Sequence, residues 1–151
     1  MPESVREVRR DELDQLLRLY RHLHPEDPEL AGDQELLALW GSILADPNLF
    51  YLAVEAGGEL VSTCTLALIK NLTRGARPYA VIENVVTHPA HRGQGHATKV
   101  LRKALAIARA NDCYKVMLMT GSRDPKVLTF YERAGFQSGE KTAFVVRYDR
   151  G

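Results

Sequence analysis

Two amphipathic helices are predicted at the start of the chain, after a weakly alternating segment at 4–9 that suggests a first strand. Asp11 and Asp33 are the predicted N-caps, because a short polar side chain can accept a hydrogen bond from the first helical turn. The apolar residues of both helices recur every three or four positions. They are Leu13, Leu16, Leu17, Tyr20 and Leu23 in the first helix, and Leu36, Leu37, Trp40, Ile43 and Leu44 in the second.

Four segments in the middle of the chain have the composition of strands. They are rich in β-branched and aromatic residues and are bounded by turn residues. Their predicted spans are 49–55, 59–70, 79–87 and 115–120. The third is almost wholly apolar, which is typical of a central strand, and Glu83 and Asn84 are its polar exceptions.

The second half of the chain adds two helices and a hairpin. One helix is predicted at 95–110, and another opens at Asp124-Pro125 and ends before Gly135. Residues 136–148 suggest two strands that turn near Gly139. This order predicts a single α/β domain over 1–151, with a mixed, mostly antiparallel sheet of about six or seven strands and flanking helices.

Composition narrows the possible partners. Twenty basic residues oppose nineteen acidic ones, for a net charge of +1, so neither nucleic acid nor an anionic membrane is predicted as a partner. The chain has no apolar run long enough to span a membrane and no signal-like start, which favours a cytoplasmic protein. His88, His91 and His96 lack metal-ligand spacing, so no metal is predicted.

The most informative stretch runs from Glu83 to Thr98. A central strand enters a tight turn containing Gly93 and Gly95, and the turn opens directly into a helix. Backbone N–H groups at a helix start have no internal partner, and the helix dipole adds positive potential. Arg92 adds further donors. The segment therefore predicts a phosphate or pyrophosphate site, but it is neither a P-loop nor a complete dinucleotide-binding glycine motif.

Two motifs resemble those of the GNAT N-acetyltransferase superfamily. Arg92, Gly95 and Ala97 match its coenzyme A pyrophosphate motif, Gln/Arg-x-x-Gly-x-Gly/Ala. The segment Phe130-Tyr131-Glu132-Arg133-Ala134-Gly135-Phe136 matches its Phe-Tyr-x-x-x-Gly-Phe signature. The resemblance covers essentially the whole chain. Within the superfamily, Ile82-Glu83-Asn84 and Asp112-Cys113-Tyr114-Lys115-Val116 are most similar to glucosamine-6-phosphate N-acetyltransferases.

The resemblance implies a GNAT fold, with a sheet splayed in the middle, and acetyl-CoA as the cosubstrate. Val85 and Val86 would bind the pantetheine arm through backbone groups in a bulged part of the strand. Backbone N–H groups of the turn and first helical residues would hold the pyrophosphate. These residues are Arg92, Gly93, Gln94, Gly95, His96, Ala97 and Thr98.

Two side chains are candidates for catalysis. Tyr131 occupies the position that often protonates the departing CoA thiolate in the superfamily, although Asp124 stands where many members carry an asparagine. Glu83 is the candidate base for the ammonium proton, directly or through water, and partial burial would raise its pKa. A core aromatic at Tyr131 and a structural ion pair at Glu83 are the alternatives. No cysteine is placed as an obvious nucleophile, which favours direct transfer.

The sequence therefore predicts an acetyl-CoA-dependent N-acetyltransferase that acts on a small primary amine, such as an amino sugar. Two alternatives stay open: an acetyltransferase of protein N-termini or lysines, and a non-catalytic CoA-binding module. A homodimer through residues 142–148 is also expected. The sequence does not identify the acceptor amine.

Overall fold

A computed structural model describes residues 4–148, which form two compact units, 4–118 and 119–148. No helix among the described residues has the length and apolar character needed to cross a membrane.

The first unit contains a five-stranded mixed sheet in the order β1-β2-β3-β4-β5. The strands are β1 (Ser4–Glu7), β2 (Leu49–Ala56), β3 (Glu59–Ile69), β4 (Tyr79–Thr87) and β5 (Val116–Leu118). The first four pair antiparallel in chain order, and β5 lies parallel to β4. The predicted mixed, mostly antiparallel sheet is thus confirmed, with five strands instead of six or seven.

Helices cover both faces of this sheet. The first unit contains α1 (Leu13–Leu23), α2 (Gln34–Ala45), α3 (Thr73–Ala76) and α4 (His96–Ala110), and α3 is a single distorted turn. The Cys64 thiol points toward the α4 backbone, with Sγ 3.9 Å from the Val100 carbonyl oxygen. Neighbouring residues on a strand point to opposite faces, so Thr63 and Thr65 lie on the other face. That face is packed by α1, whose Leu16 and Leu19 are buried.

The caps of the first two helices follow different rules. Asp33 caps α2 as predicted, accepting a hydrogen bond from the Leu36 N–H at 3.0 Å. The prediction for Asp11 is wrong, because Asp11 lies inside a short 3-10 turn, Arg10–Glu12, that precedes α1. There the Glu12 carboxylate accepts from the Arg9 N–H at 2.8 Å and from both terminal nitrogens of Arg6 at 2.8 Å.

The second unit contains α5 (Pro125–Arg133), which is capped by the Asp124 carboxylate through the Lys126 N–H at 3.0 Å. The predicted hairpin at 136–148 is wrong: within residues 4–148, this segment forms no strand. A strand needs a neighbour to pair with, and Phe144 and Tyr148 are 91% and 95% exposed. Alternation of apolar residues is therefore not sufficient to predict a strand in this segment.

Candidate functional site

The site is built around an irregularity in β4. Thr65 of β3 pairs with Glu83, but Thr63 pairs with Val86, so β4 contains one extra residue opposite Cys64. Asn84 lies in this β-bulge and has a φ of +54°, a left-handed conformation that asparagine tolerates better than most residues. The bulge expected beside Val85 and Val86 is thus confirmed.

The other side of β4 is paired only at its beginning. Among residues 4–148, the ladder with β5 covers Ala80, Val81 and Ile82 and extends no further along β4. Val85 and Val86 lie beyond this ladder, where β5 does not engage the strand. Backbone groups at this point are suited to bind an extended ligand, as predicted for a pantetheine arm.

The glycine turn after β4 leads directly into α4. Gly93 and Gly95 have φ of +76° and +83°, a left-handed conformation that strains any residue with a Cβ. A Cβ at either position would meet no atom within 4 Å, so the space above the turn is open. In the described chain, no side-chain hydrogen bond caps α4 and its first turn carries no acidic residue. The geometry therefore leaves the positive dipole end of α4 open to an anion.

The predicted pyrophosphate residues differ in accessibility. Arg92, Gly93, Gln94 and Gly95 are exposed, and Ala97 and Thr98 are half-buried. His96 is buried, 2% exposed, with Nε2 3.2 Å from the Gln94 Oε1 atom. Because its side chain is buried, His96 is suited to contribute only a backbone N–H to a ligand.

Glu83 belongs to a row of polar side chains across the sheet. Tyr51 of β2 pairs with Thr65 of β3, and Thr65 pairs with Glu83 of β4, so all three side chains lie on the face that α1 covers. Glu83 is exposed, and the expectation of partial burial is wrong. The bulge lies immediately after Glu83, which puts its carboxylate next to the irregular backbone.

A cavity of about 600 Å³ opens beside α1. The C-terminal half of α1 lines one side of it, and residues 27–30 form the other wall. The residues on the first side are Leu17, Arg18, Tyr20, Arg21 and His24, of which His24 directly follows α1. Burial raises the pKa of Tyr20, and a side-chain hydrogen bond with Thr65 offsets part of that rise. No sequence motif points to Thr65 or Tyr51, because their position beside Glu83 depends on strand register.

Tyr131 lies in α5 of the second unit. Its ring is half-buried and packs edge-to-face on Phe130 and Phe136, with centroids 5.2 and 6.3 Å apart. Gly135, with φ of +107°, ends the helix as predicted. This packing agrees with a structural role for the ring and leaves the catalytic role of the hydroxyl a prediction.

Two thiols and a row of four histidine rings are further groups that could carry chemistry. Burial raises the pKa of the Cys64 thiol to about 12, and it also raises the pKa of Cys113. Neither thiol is therefore activated as a nucleophile. His22, His88, His91 and His96 form a chain of ring contacts with centroids 4.8 to 6.1 Å apart. Among residues 4–148, no group of three His, Cys, Asp or Glu side chains could hold a metal ion.

Comparisons with known proteins identify the family that this architecture resembles. The profile of the Acetyltransferase (GNAT) family matches residues 13–136. A solved structure of a candidate acetyltransferase from Agrobacterium tumefaciens str. C58 is 47% identical, with a TM-score of 0.89 over 95% of this chain and 99% of that one. A Trypanosoma brucei acetyltransferase structure is 28% identical, with a TM-score of 0.81 over 97% of this chain and 100% of that one.

A curated relative matches over a shorter stretch. The glucosamine 6-phosphate N-acetyltransferase of Trypanosoma brucei brucei is 36% identical over 84 residues, 56% of this chain. The match spans about half of that relative's length, 55%.

Proposed function

The chain belongs to the acetyltransferase (GNAT) family, and from this premise we propose that it transfers an acetyl group from acetyl-CoA directly to a primary amine of a small molecule. The observation that carries the proposal is the glycine turn at the start of α4. Its open space, left-handed glycines and uncapped helix start are the features that bind a pyrophosphate. Residues Arg92 to Thr98 would hold this group.

The acyl end of the donor would lie along the bulge. Val85 and Val86 would bind the pantetheine arm through their backbone, and the N–H of Val86 would polarise the thioester carbonyl. The amine nitrogen then forms a bond to the carbonyl carbon, and the carbon–sulfur bond breaks. Glu83 would take the proton of the attacking amine, directly or through water, and Tyr131 would protonate the thiolate. Both raised thiol pKa values support direct transfer over an acyl-cysteine intermediate.

A small acceptor is supported by the cavity beside α1. Its volume of about 600 Å³ is within the range of small-molecule pockets. Amino sugars are one acceptor class to test, since a relative 36% identical over 84 residues is named for glucosamine 6-phosphate. The homodimer and the cytoplasmic location stay predictions.

A panel of primary amines tests the proposal. The full chain is incubated with acetyl-CoA and glucosamine 6-phosphate, glucosamine, cyclohexylamine, spermidine, sisomicin or a lysine-containing peptide, and released CoA thiol is measured. Release with a small amine, and none without enzyme, is expected. Release with the peptide alone would favour the protein acetyltransferase. Acetyl-CoA binding without release for any amine would favour the non-catalytic module.

A further inference from the structure

A histidine side chain holds the segment that joins β4 to the glycine turn. This segment contains a second short 3-10 turn, Pro89–His91, which ends directly before Arg92. His88 precedes the 3-10 turn, and its Nδ1 atom accepts a hydrogen bond from the Ala90 N–H at 3.0 Å. The backbone N–H of His88 donates to the Val61 carbonyl oxygen of β3 at 2.8 Å, which fixes the start of the turn to the sheet. The course of the chain into the glycine turn therefore depends in part on an imidazole acceptor.

This hydrogen bond requires a neutral imidazole. A ring nitrogen of histidine accepts a hydrogen bond only while it carries no proton. A proton on Nδ1 of His88 would turn the acceptor into a donor that faces the Ala90 N–H, so the attraction would be replaced by repulsion. Histidine is the side chain that ordinarily changes its charge between pH 5 and 8. The cap on the 3-10 turn is thus suited to respond to pH near neutrality.

The charged and titratable groups around His88 strengthen this response. Its ring contacts His22 of α1 and His91 of the 3-10 turn, with centroids 4.8 and 5.6 Å apart. Arg18 of α1 and Glu59 of β3 line a cavity of about 160 Å³ together with His22 and His88. The guanidinium, and the two imidazoles once they are protonated, oppose a positive charge on His88, whereas the Glu59 carboxylate favours it. At acidic pH the cations around His88 therefore outnumber this carboxylate.

We propose that His88 is a positioning residue, whose neutral imidazole holds the 3-10 turn so that the following glycine turn keeps the shape that binds acetyl-CoA, and whose protonation weakens this binding. The inference rests on the proposed function, because it takes the pyrophosphate of the donor to lie at Gly93 and Gly95. His88 would act through the backbone of residues 89–92. Acetyl-CoA would then bind most tightly at neutral to alkaline pH, the range in which amines are free to attack.

An electrostatic account predicts the opposite direction. The pyrophosphate is an anion, and protonated histidines near it would attract it. His91 and His96, whose ring centroids are 6.1 Å apart, extend the row from His88 to the first residue of α4. If this attraction dominated, acetyl-CoA would bind more tightly as the pH falls. The direction of the pH dependence therefore separates a positioning role from simple attraction.

Isothermal titration calorimetry with acetyl-CoA tests the assignment between about pH 5.5 and 8.5, the range in which histidine titrates. His88→Asn and His88→Ser are the matched variants, because their side-chain oxygens can cap the turn and do not gain a proton in this range. His88→Ala removes the acceptor at every pH. Melting temperatures without ligand, measured in the same buffers, show whether each variant is folded.

The expected changes follow from the strength of a side-chain cap. A helix cap contributes about 0.5–2 kcal/mol, which corresponds to about 2- to 30-fold in an equilibrium constant. At the alkaline end, His88→Asn and His88→Ser should match the wild-type dissociation constant, and that of His88→Ala should be higher by about this factor. On acidification, the wild-type dissociation constant should increase by about 2- to 30-fold more than that of the two capped variants. Titration of acetyl-CoA itself cancels in this comparison, since the ligand is the same.

The outcomes distinguish this inference from the function it rests on. The inference is overturned if the wild type and the capped variants share one pH dependence, or if wild-type binding tightens at acidic pH. It is also overturned if folded His88→Ala binds acetyl-CoA as tightly as the wild type at alkaline pH. Failure of the wild-type chain to bind acetyl-CoA at any pH would instead refute the proposed function, and the inference with it.

Discussion

The pyrophosphate site at the start of α4 predicts the effect of one added charge. Ala97 is the second residue of the helix, half-buried, in a first turn with no acidic residue. An aspartate is favourable for the helix there, because it complements the dipole by about 0.3–1 kcal/mol. The same carboxylate would repel a bound pyrophosphate. Ala97→Asp should therefore fold normally and lose acetyl-CoA binding.

The size of the loss follows from Coulomb's law. Two unit charges about 4 Å apart repel by about 1 kcal/mol in water and by about 4 kcal/mol at the effective dielectric constant near a protein surface. The dissociation constant for acetyl-CoA should thus increase between about 5-fold and about 900-fold. Ala97→Asn is the matched control, since it has nearly the same shape as the aspartate and no charge.

Thermal unfolding with and without acetyl-CoA measures the effect. At a ligand concentration about 100 times the wild-type dissociation constant, binding stabilises the native state by about 2.7 kcal/mol, or roughly 5–11 °C for a chain of this size. A 100-fold weaker Ala97→Asp would gain only about 1 °C, whereas Ala97→Asn would keep most of the shift. Equal shifts in Ala97→Asp and the wild type would refute a pyrophosphate site at this helix start. Gly95→Val is a poorer test, because its φ of +83° would strain the backbone itself.

Four further outcomes are expected. Glu12→Gln should lower the free energy of unfolding at pH 7 by about 2 kcal/mol, because hydrogen bonds from Arg6 hold the pKa of Glu12 below its ordinary value. The difference between variant and wild type should shrink as the pH falls below the ordinary pKa of a glutamate. A difference that does not change with pH would contradict this role of the Glu12 carboxylate. Tyr131→Phe should lower kcat by about 10²–10⁴-fold with little change in melting temperature, and full turnover would exclude the phenol as the acid. Glu83→Gln should lower kcat/KM most at acidic to neutral pH, where the free amine is scarce, and a loss below about threefold at every pH would make this glutamate structural. Light scattering should give about twice the chain mass of 16.9 kDa if residues 142–148 pair two copies, whereas the mass of a single chain at micromolar concentration would contradict the homodimer.

Elements with strong local signals could be predicted from the sequence. The β4 span and the α4 stretch match the structure to within a residue, because an apolar run bounded by prolines and a periodic apolar face are local features. The glycine turn between them was also readable, since Gly93 and Gly95 adopt the left-handed conformations that glycine favours. This segment supplied most of the candidate site.

Features that depend on tertiary pairing could not be predicted from residues alone. The Tyr51–Thr65–Glu83 row exists only because of the β2–β3–β4 register. The exposure of Glu83 depends on what covers the sheet, which no local pattern encodes. Similarly, alternation in residues 142–148 predicts a strand, although a strand forms only with a partner to pair with.

Direct acetyl transfer is tested by following the acetyl group itself. Acetyl-CoA labelled with ¹³C in the acetyl group is incubated with the chain, first alone and then with the best amine of the panel, and protein and small molecules are analysed by mass spectrometry. Direct transfer predicts unlabelled protein in the first step, and labelled N-acetyl product equal in amount to the released CoA in the second. A labelled protein that passes its acetyl group to the amine would contradict direct transfer. Binding of acetyl-CoA without any labelled amine would contradict the proposed acetyltransferase activity.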